Sequence, residues 1–151
     1  MRISAKADYA VRAAIELARK EGAPTKGTAI ANAQSIPLKF LENILIDLRH
    51  AGLVRSQRGA EGGYWLSKPA AQISIADVIR AVEGPLASVR GAAPEELDYP
   101  DGAQTLQRAW IAVRASLRGV AENVSLADLA AGRLPARIEK LAADPEGWTT
   151  R

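Results

Sequence analysis

Residues 36–66 decide the fold of this chain, and they read IPLKFLENILIDLRHAGLVRSQRGAEGGYWL. In the first half of this stretch, apolar side chains recur at i, i+3, i+4 and i+7, which predicts an amphipathic helix. These side chains are Leu41, Ile44, Leu45 and Leu48. Pro37 suits the first turn of the helix, where its missing N–H has no intrahelical partner, and Gly52 suits its end.

The second half of the stretch predicts a β-hairpin. Leu53–Gln57 and Tyr64–Leu66 have strand character, and a glycine-rich reversal at 58–63 joins them. Such a loop is either an ordinary turn or a tip whose glycines let backbone N–H groups approach a phosphate. Its Arg58 is long enough to reach into a nucleic-acid groove.

Upstream, residues 5–19 are predicted to be helical with Ser4 as N-cap. A short helix is predicted at 28–33, capped by Thr25 or Thr28. The order helix, short helix, helix, hairpin is that of a winged helix-turn-helix, in which the second helix of the pair enters the major groove of DNA.

Downstream, Ser74 and Asp77 predict a capping box for a helix that ends at Glu83. A loop, a long helix, two short helices and a polar tail follow. They are predicted at 85–101, 102–121, 125–131, 135–143 and 144–151.

The predicted fold class is mainly α with a small β-hairpin wing: a winged helix-turn-helix followed by a long C-terminal helix. The predicted divisions are a DNA-binding domain at 1–84, the loop at 85–101, C-terminal helices at 102–143 and the tail at 144–151.

The composition excludes several kinds of metal, disulfide and catalytic site before any motif is considered. The chain has 151 residues, no cysteine and one histidine, His50. Disulfides, thiolate nucleophiles, zinc fingers and Cys-ligated iron–sulfur clusters are therefore excluded. No nucleophile–base pair, metal-ligand spacing or phosphate-binding loop occurs, so the sequence argues against an enzyme.

Charge favours a polyanion as partner. Residues 1–84 carry a net charge of +4 and residues 85–151 one of −1, although a solvated surface would have the same balance. No apolar run reaches the roughly 18 residues of a membrane span, and no apolar leader opens the chain. We expect a cytoplasmic protein without membrane contact.

Short motifs over most of the chain give a more specific indication. Those near the hairpin are Ala51-Gly52-Leu53-Val54, Arg58-Gly59 and Gly62-Gly63-Tyr64. The others are MRIS at 1–4, YAVRA at 9–13, IP at 36–37, FLE at 40–42, LRH at 48–50, DVIRAVEG at 77–84 and VSLADL at 124–129. Together they resemble the Rrf2 family of bacterial transcriptional regulators, over nearly all of the chain except 85–105 and the tail.

The resemblance implies a homodimer that binds double-stranded DNA and regulates transcription, as a repressor. The long C-terminal helix would pair the two protomers and place their winged helices on half-sites about one helical turn apart, ~34 Å. Leu106, Trp110, Val113 and Leu117 would line that pairing, unless they pack within one protomer.

The resemblance also implies DNA contacts on the third helix. Lys39 is expected to donate to guanine, and Glu42 to accept from cytosine unless it is only a surface charge. Phe40 is assigned either to the core, which is favoured, or to a thymine methyl group. Arg49 is either a phosphate ligand or a solvated charge. The remaining expected contacts are Ser4, Lys6, Tyr9, Thr28, Asn43, Gln57, Arg58, Gly59, Gly62 and Gly63.

The loop at 85–101 departs from the family. Many members hold an iron–sulfur cluster there, but this loop has no cysteine, so no cofactor is expected. Asp8 stands where some members use an acidic cluster ligand, and it is expected to pair with Arg12 instead. A small-molecule effector, a protein partner and no effector at all remain alternatives. An effector pocket would involve Asp8, Arg12, Trp65, Tyr99 and Trp110.

A second function stays open at this point. Glu61 at the hairpin tip and the acidic residues of 85–101 would suit a winged-helix module that binds proteins and has lost specific DNA binding. The operator, the effector and the sign of regulation do not follow from the sequence.

Overall fold

The structure is a computed structural model that describes residues 2–150. Met1, the first residue of the MRIS motif, and Arg151, the last residue of the tail, lie outside the described residues. The described part of the chain is mainly helical and contains one two-stranded antiparallel hairpin. This confirms the predicted fold class.

The first helix, α1, spans Ala5–Arg19, as predicted, and Ser4 caps it by accepting a hydrogen bond from the Ala7 N–H at 3.0 Å. One face of α1 consists of small side chains that are at most 1% exposed. These are Ala7, Ala10, Ala13 and Ala14. Because alanine lets neighbouring backbones approach closely, the other elements of the N-terminal half pack around α1.

The helix-turn-helix consists of α2, Gly27–Gln34, and α3, Leu38–His50. Ser35 turns the chain between them with a left-handed φ of 51°. The four apolar residues predicted for the buried face of α3 are 0% exposed, and Gly52 follows the helix with a φ of 75°. The predicted threonine caps are wrong: Lys26 occupies the N-cap of α2 without a side-chain hydrogen bond.

The wing is a hairpin of β1, Val54–Gln57, and β2, Gly63–Leu66. The sequence did not predict that the buried Thr25 extends this sheet. The Thr25 N–H donates to the Tyr64 carbonyl at 2.9 Å, and the Tyr64 N–H donates to the Thr25 carbonyl at 2.8 Å. A hairpin alone is marginally stable, and this third segment ties the wing to the connection between α1 and α2.

The C-terminal half is helical, with a structured loop before it. The long helix of this half starts at Thr105, three residues after its predicted start, because the φ of 91° at Gly102 does not fit a helix. Within 85–101, Pro94 and Leu97 are buried. The remaining helices are α4 at Ile75–Glu83, α5 at Thr105–Ala121, α6 at Leu126–Ala130 and α7 at Ala136–Ala142.

Helix α4 begins with the predicted capping box, α6 begins with a second one formed by Ser125 and Asp128, and the two boxes lie back to back. The Ile75 N–H donates to the Val124 carbonyl at 3.0 Å, and the Leu126 N–H donates to the Ile73 carbonyl at 2.9 Å. Leu126 is therefore buried in the core of the N-terminal half, although it lies in the predicted C-terminal segment. Among residues 2–150, no helix is long and apolar enough to span a membrane.

Gly63→Ala is expected to destabilise the wing strongly. The added Cβ would lie 2.7 Å from backbone atoms of Thr25, at a φ of 152°. Because backbone does not yield as a flexible side chain does, we expect the free energy of unfolding to fall by about 2–4 kcal/mol in urea titrations. Gly52→Ala is the control, because its Cβ would meet nothing within 4 Å. Only its left-handed backbone conformation should then lower the free energy of unfolding, by about 1 kcal/mol. Equal losses would contradict this account.

The capping box of α6 makes stability depend on pH. The N–H and the hydroxyl of Ser125 hold the pKa of the Asp128 carboxyl below its ordinary value. Because the pKa is lower in the folded state, the stabilisation is complete at neutral pH and is lost as the pH falls below about 4.

We therefore expect wild type to exceed Asp128→Asn in unfolding free energy near neutral pH, with a difference that shrinks as the solution becomes acidic. A constant Asp128→Asn difference across the acid range would refute the assignment.

Candidate nucleic-acid interface

An open groove lies between α3 and the wing, with the start of α2 at one end. Its volume is about 480 Å³. It brings together part of the predicted DNA-contacting set: Glu42, Arg49, Gln57, Arg58, Gly59 and Gly63. The groove is also lined by residues that the sequence analysis did not assign to it: Lys26, Gly27, Ile46, Ser56 and Tyr64.

The outer face of α3 is free to meet a ligand because the core uses its inner face completely. Lys39, Glu42 and Asn43 are all exposed along the first two turns. Ile46 is 42% exposed on the same side and adds an apolar surface to this polar face. The helix therefore presents a cation, a carboxylate, an amide and a hydrocarbon group outward.

Phe40 does not lie in the core, contrary to the favoured interpretation. Its side chain is 41% exposed, because it lies one position before Leu41 and so leaves the buried face of α3. The Phe40 and Tyr9 rings meet edge to face with centroids 5.6 Å apart, and the Arg12 guanidinium lies 5.3 Å from the Tyr9 ring centroid. This stack connects α1 to the first turn of α3.

The wing glycines have two different roles. Gly59 is exposed at the tip with a φ of 104°. Gly62 and Gly63 are buried, and a Cβ on Gly62 would lie 2.1 Å from the Gln57 carbonyl oxygen. The Gly62 N–H donates to the Gly59 carbonyl at 3.0 Å. Gly62 and Gly63 are therefore required by the close packing of the chain itself, and their contact with phosphate stays a prediction.

Lys26 links the start of α2 to the wing tip. Its ammonium group donates a hydrogen bond to the Gly59 carbonyl. No side chain caps the first turn of α2, and a lysine at the positive end of a helix dipole is unfavourable on its own. An anion bound here would offset both features, and the exposed Thr28 lies in the same turn.

Two arginines approach the groove under different constraints. Arg49 donates a hydrogen bond to the Ser56 hydroxyl at 3.2 Å, so its side chain is held between α3 and β1. Arg58 is exposed near the wing tip and has no ion pair or hydrogen bond within residues 2–150. Arg58 is therefore the more available of the two for a contact outside the protein.

Ser4 and Lys6 were expected to contact phosphate, but the structure gives both an internal partner. The Ser4 hydroxyl caps α1 and donates to the Glu83 carboxylate at the end of α4. The Lys6 ammonium lies 2.7 Å from the Asp47 carboxylate of α3. These contacts fix α1 against α4 and α3.

A polar network holds the end of α2 against α1. Arg12 pairs with Asp8 at 3.1 Å, as predicted, and also donates to the backbone carbonyl of Gln34. The Gln34 amide donates to the Glu16 carboxylate at 3.0 Å, and Arg19 lies 3.4 Å from the same carboxylate. Glu16 is only 9% exposed, so this network compensates a buried charge.

The residues expected to form an effector pocket do not share one site. Asp8 pairs with Arg12, and Arg12 contacts Gln34 at the α1–α2 junction. Trp65 lies on the wing in register with Arg55, and Tyr99 lies beside Arg90 in the 85–101 loop. Trp110 is half-buried on α5.

Helix α5 has no buried residue, although it carries a long apolar stripe. Leu106 and Val120 are 40% and 37% exposed, and Trp110, Val113 and Leu117 are half-buried. Polar contacts hold this helix to the loop. Arg114 lies 2.6 Å from Glu95 and lowers the pKa of that carboxyl.

The chain has no cysteine to supply the thiolates that ligate iron–sulfur clusters. Within residues 2–150, no three His, Asp or Glu side chains come together in a way that would hold a metal ion.

Comparison with known proteins gives a consistent family. The model of the Rrf2 family, described as iron-dependent transcriptional regulators, matches residues 3–132. The chain is 50% identical over 145 residues to the HTH-type transcriptional regulator Rv1287 of Mycobacterium tuberculosis, covering 95% of this chain and 90% of the relative. It is 38% identical over 131 residues to the HTH-type transcriptional regulator CymR of Bacillus subtilis, covering 86% of this chain and 90% of CymR.

Solved structures agree with these relatives. CymR, the global cysteine regulator of B. subtilis, superimposes with a TM-score of 0.73 at 36% identity, over 87% of this chain and 97% of CymR. IscR of T. potens gives a TM-score of 0.67 at 30% identity, over 100% of this chain and 93% of IscR. The chain therefore belongs to the Rrf2 family and is a transcriptional regulator rather than an enzyme.

Proposed function

We propose that this protein is a homodimeric repressor that reads double-stranded DNA with α3 and the wing, without an iron–sulfur cluster. The observation that carries the proposal is the groove itself. Basic groups from three elements, Lys26, Arg49 and Arg58, converge on one open surface beside the exposed face of α3.

Helix α3 is the element proposed to enter the major groove. Lys39 would donate to the O6 or N7 atom of guanine, and Glu42 would accept from the N4 amino group of cytosine. A carboxylate facing phosphates is unfavourable, so Glu42 in this groove is best explained as a base reader. Ile46 offers its methyl groups to a thymine methyl in the same groove.

The wing and α2 are proposed to fix the register of α3 on the duplex. Arg58 would enter the neighbouring minor groove or contact its phosphates. The uncapped first turn of α2, with Lys26 and Thr28, would hold a backbone phosphate through its free N–H groups. Gln57 and Gly59 lie beside Arg58 and would contribute polar backbone and amide contacts.

Helix α5 is proposed to form the dimer interface. Its apolar residues follow a four-three spacing, which is the seam of a helix pair. They are Leu106, Trp110, Val113, Leu117 and Val120. Pairing would cover side chains that one protomer leaves exposed and would set two α3 helices on half-sites about 34 Å apart.

Repression requires only that a bound dimer occupy DNA that another protein needs. Because thiolates are absent from the chain, any signal must act without a cluster. Such a regulator acts where the bacterial chromosome lies, in the cytoplasm.

Selection from random duplexes tests the proposed function. We expect a palindromic operator with half-sites one turn apart, whose affinity falls steeply with salt as phosphate contacts require. Arg58→Ala and Lys39→Ala should each weaken binding to this operator by about 1–3 kcal/mol in fluorescence anisotropy titrations.

Arg55→Ala is the matched control, because Arg55 is exposed on β1 but does not line the groove. Arg55→Ala should change the free energy of operator binding by less than half as much as Arg58→Ala or Lys39→Ala does. Binding that is weak, blind to sequence and insensitive to all three substitutions would favour the protein-binding module instead.

Leu106→Asp is expected to disrupt the dimer, because it would place a carboxylate in the seam of two α5 helices. Since Leu106 is 40% exposed in the protomer, the monomer should still fold. Sedimentation velocity should show at least a tenfold weaker dimer. Leu141→Asp on α7, where Leu141 is 53% exposed, should leave the dimer intact. A wild-type monomer would overturn the paired half-site model.

A further inference from the structure

A second cleft adjoins the groove at the base of the wing. Its volume is about 490 Å³, within the range of small-molecule sites. The end of α3, the turn that follows it and both sides of the hairpin form its walls, and none of these belongs to the proposed dimer seam on α5. The lining residues are Arg49, Gly52, Val54, Arg55, Ser56, Trp65 and Ser67.

The lining of this cleft is positively charged. It contains the guanidinium groups of Arg49 and Arg55, and none of its described residues carries a carboxylate. The Arg55 side chain is exposed and has no ion pair or hydrogen bond within residues 2–150. Arg49 donates to the Ser56 hydroxyl, which uses only one of its five N–H groups. Two cations side by side favour a ligand with two negative charges.

The free edge of β1 adds a backbone donor. Ser56 lies opposite Tyr64 in the hairpin, and the N–H and carbonyl of Tyr64 both bond to Thr25 on the far side of β2. Because opposite residues of an antiparallel ladder either bond to each other or both point away, the Ser56 N–H points away from β2. This N–H therefore has no partner in the ladder and lies on the edge that the cleft occupies.

Trp65 gives the cleft an aromatic wall. It lies directly opposite Arg55 in the hairpin register, and the Cβ atoms of such cross-strand neighbours are about 5 Å apart. The indole is half-buried, so packing limits its motion while part of the ring stays accessible. Flat heterocyclic rings, such as nucleobases, stack on exposed indole faces.

We propose that this cleft binds a nucleoside monophosphate and that the bound nucleotide weakens DNA binding. The phosphate pairs with Arg49 and Arg55 and accepts from the Ser56 N–H, and the base stacks on Trp65. A phosphate monoester carries about 1.5 to 2 negative charges at neutral pH, which matches two arginines better than a carboxylate does. The weakening of DNA binding rests on the proposed function, whereas the binding site does not.

Three matched probes test the ligand chemistry by isothermal titration calorimetry. AMP has a base and a phosphate, adenosine lacks the phosphate, and ribose 5-phosphate lacks the base. We expect AMP to bind at least fivefold more tightly than either analogue. Arg55→Gln should weaken AMP and ribose 5-phosphate but not adenosine, and Trp65→Leu should weaken AMP and adenosine but not ribose 5-phosphate.

Further variants test the location. Arg58→Gln is the matched control, because Arg58 lines the groove but not the cleft, and it should leave AMP affinity unchanged. Trp65→Phe keeps a ring and should retain more AMP affinity than Trp65→Leu. AMP should quench the tryptophan fluorescence of wild type, and Trp65→Leu, which keeps Trp110 and Trp148, should lose this quenching.

Thermal melting shows whether each variant is folded, and the exposed Arg55 provides a test that does not depend on the half-buried Trp65. Equal binding of the three probes overturns the site. A loss of AMP affinity in Arg58→Gln that equals the loss in Arg55→Gln also overturns it, since it would assign the nucleotide to the groove. No binding of AMP, GMP, CMP or UMP overturns it as well.

Operator affinity tests the effect on DNA binding. Arg49 and Ser56 line both the cleft and the groove, so a phosphate in the cleft competes with DNA for the Arg49 guanidinium. Saturating AMP should weaken the affinity of wild type for its selected operator at least threefold. The same AMP concentration should have a smaller effect on Arg55→Gln.

Calorimetric binding of AMP without a change in operator affinity overturns the effect on DNA binding and leaves the site. Failure to select any operator, with or without AMP, overturns the proposed function, and the calorimetry still decides the binding site.

Discussion

The close packing of α1 is the constraint on which the rest of the structure depends. Four of its alanines are at most 1% exposed, and α2, α3, α4, α6 and β2 all contact this helix. A larger side chain on this face would push at least one neighbour outward, because protein interiors have little free volume. The positions of α3 and of the wing strand β2 against α1 therefore depend on the small residues of this helix.

Packing fixes distance, but directional polar contacts fix orientation. Apolar burial is non-directional, whereas a hydrogen bond weakens steeply when it is bent. Lys6 with Asp47 holds α3 along α1, the Arg12–Gln34 contact holds the end of α2, and the Thr25–Tyr64 pair holds the wing. Each of these contacts joins elements that carry groups of the proposed interface. Contacts within the protein therefore hold these groups in place.

The elements that the sequence predicts best are those whose signals are local. Helix α3 has its apolar period, its proline and its closing glycine within one short stretch, and the exposed face with Lys39 and Glu42 follows directly from that period. The pairing of Thr25 with the wing and the Glu16–Gln34 contact join residues far apart in the sequence. No local sequence pattern predicts them. Phe40 was misplaced because its residue type, rather than its position on the helix, governed the assignment.

The same limit explains the predicted effector pocket. Aromatic side chains were grouped by chemistry, yet the structure places Trp65 on the wing, Tyr99 in the 85–101 loop and Trp110 on α5. Whether side chains far apart in the sequence share a pocket depends on tertiary packing, which no local pattern predicts.

The acidic residues of the interface are best understood through specificity rather than affinity. Non-specific DNA binding is driven by cations that neutralise phosphates, and the whole chain has a net charge of only +3. Glu42 in the groove disfavours every duplex position where it faces phosphate and has no donor to accept from. In the proposed complex, that cost would be offset where a cytosine amino group meets the carboxylate. Under the proposed function, a modest positive charge with one groove-facing carboxylate would lower binding to competing sites more than binding to the operator. A regulator needs that ratio more than it needs tight binding alone.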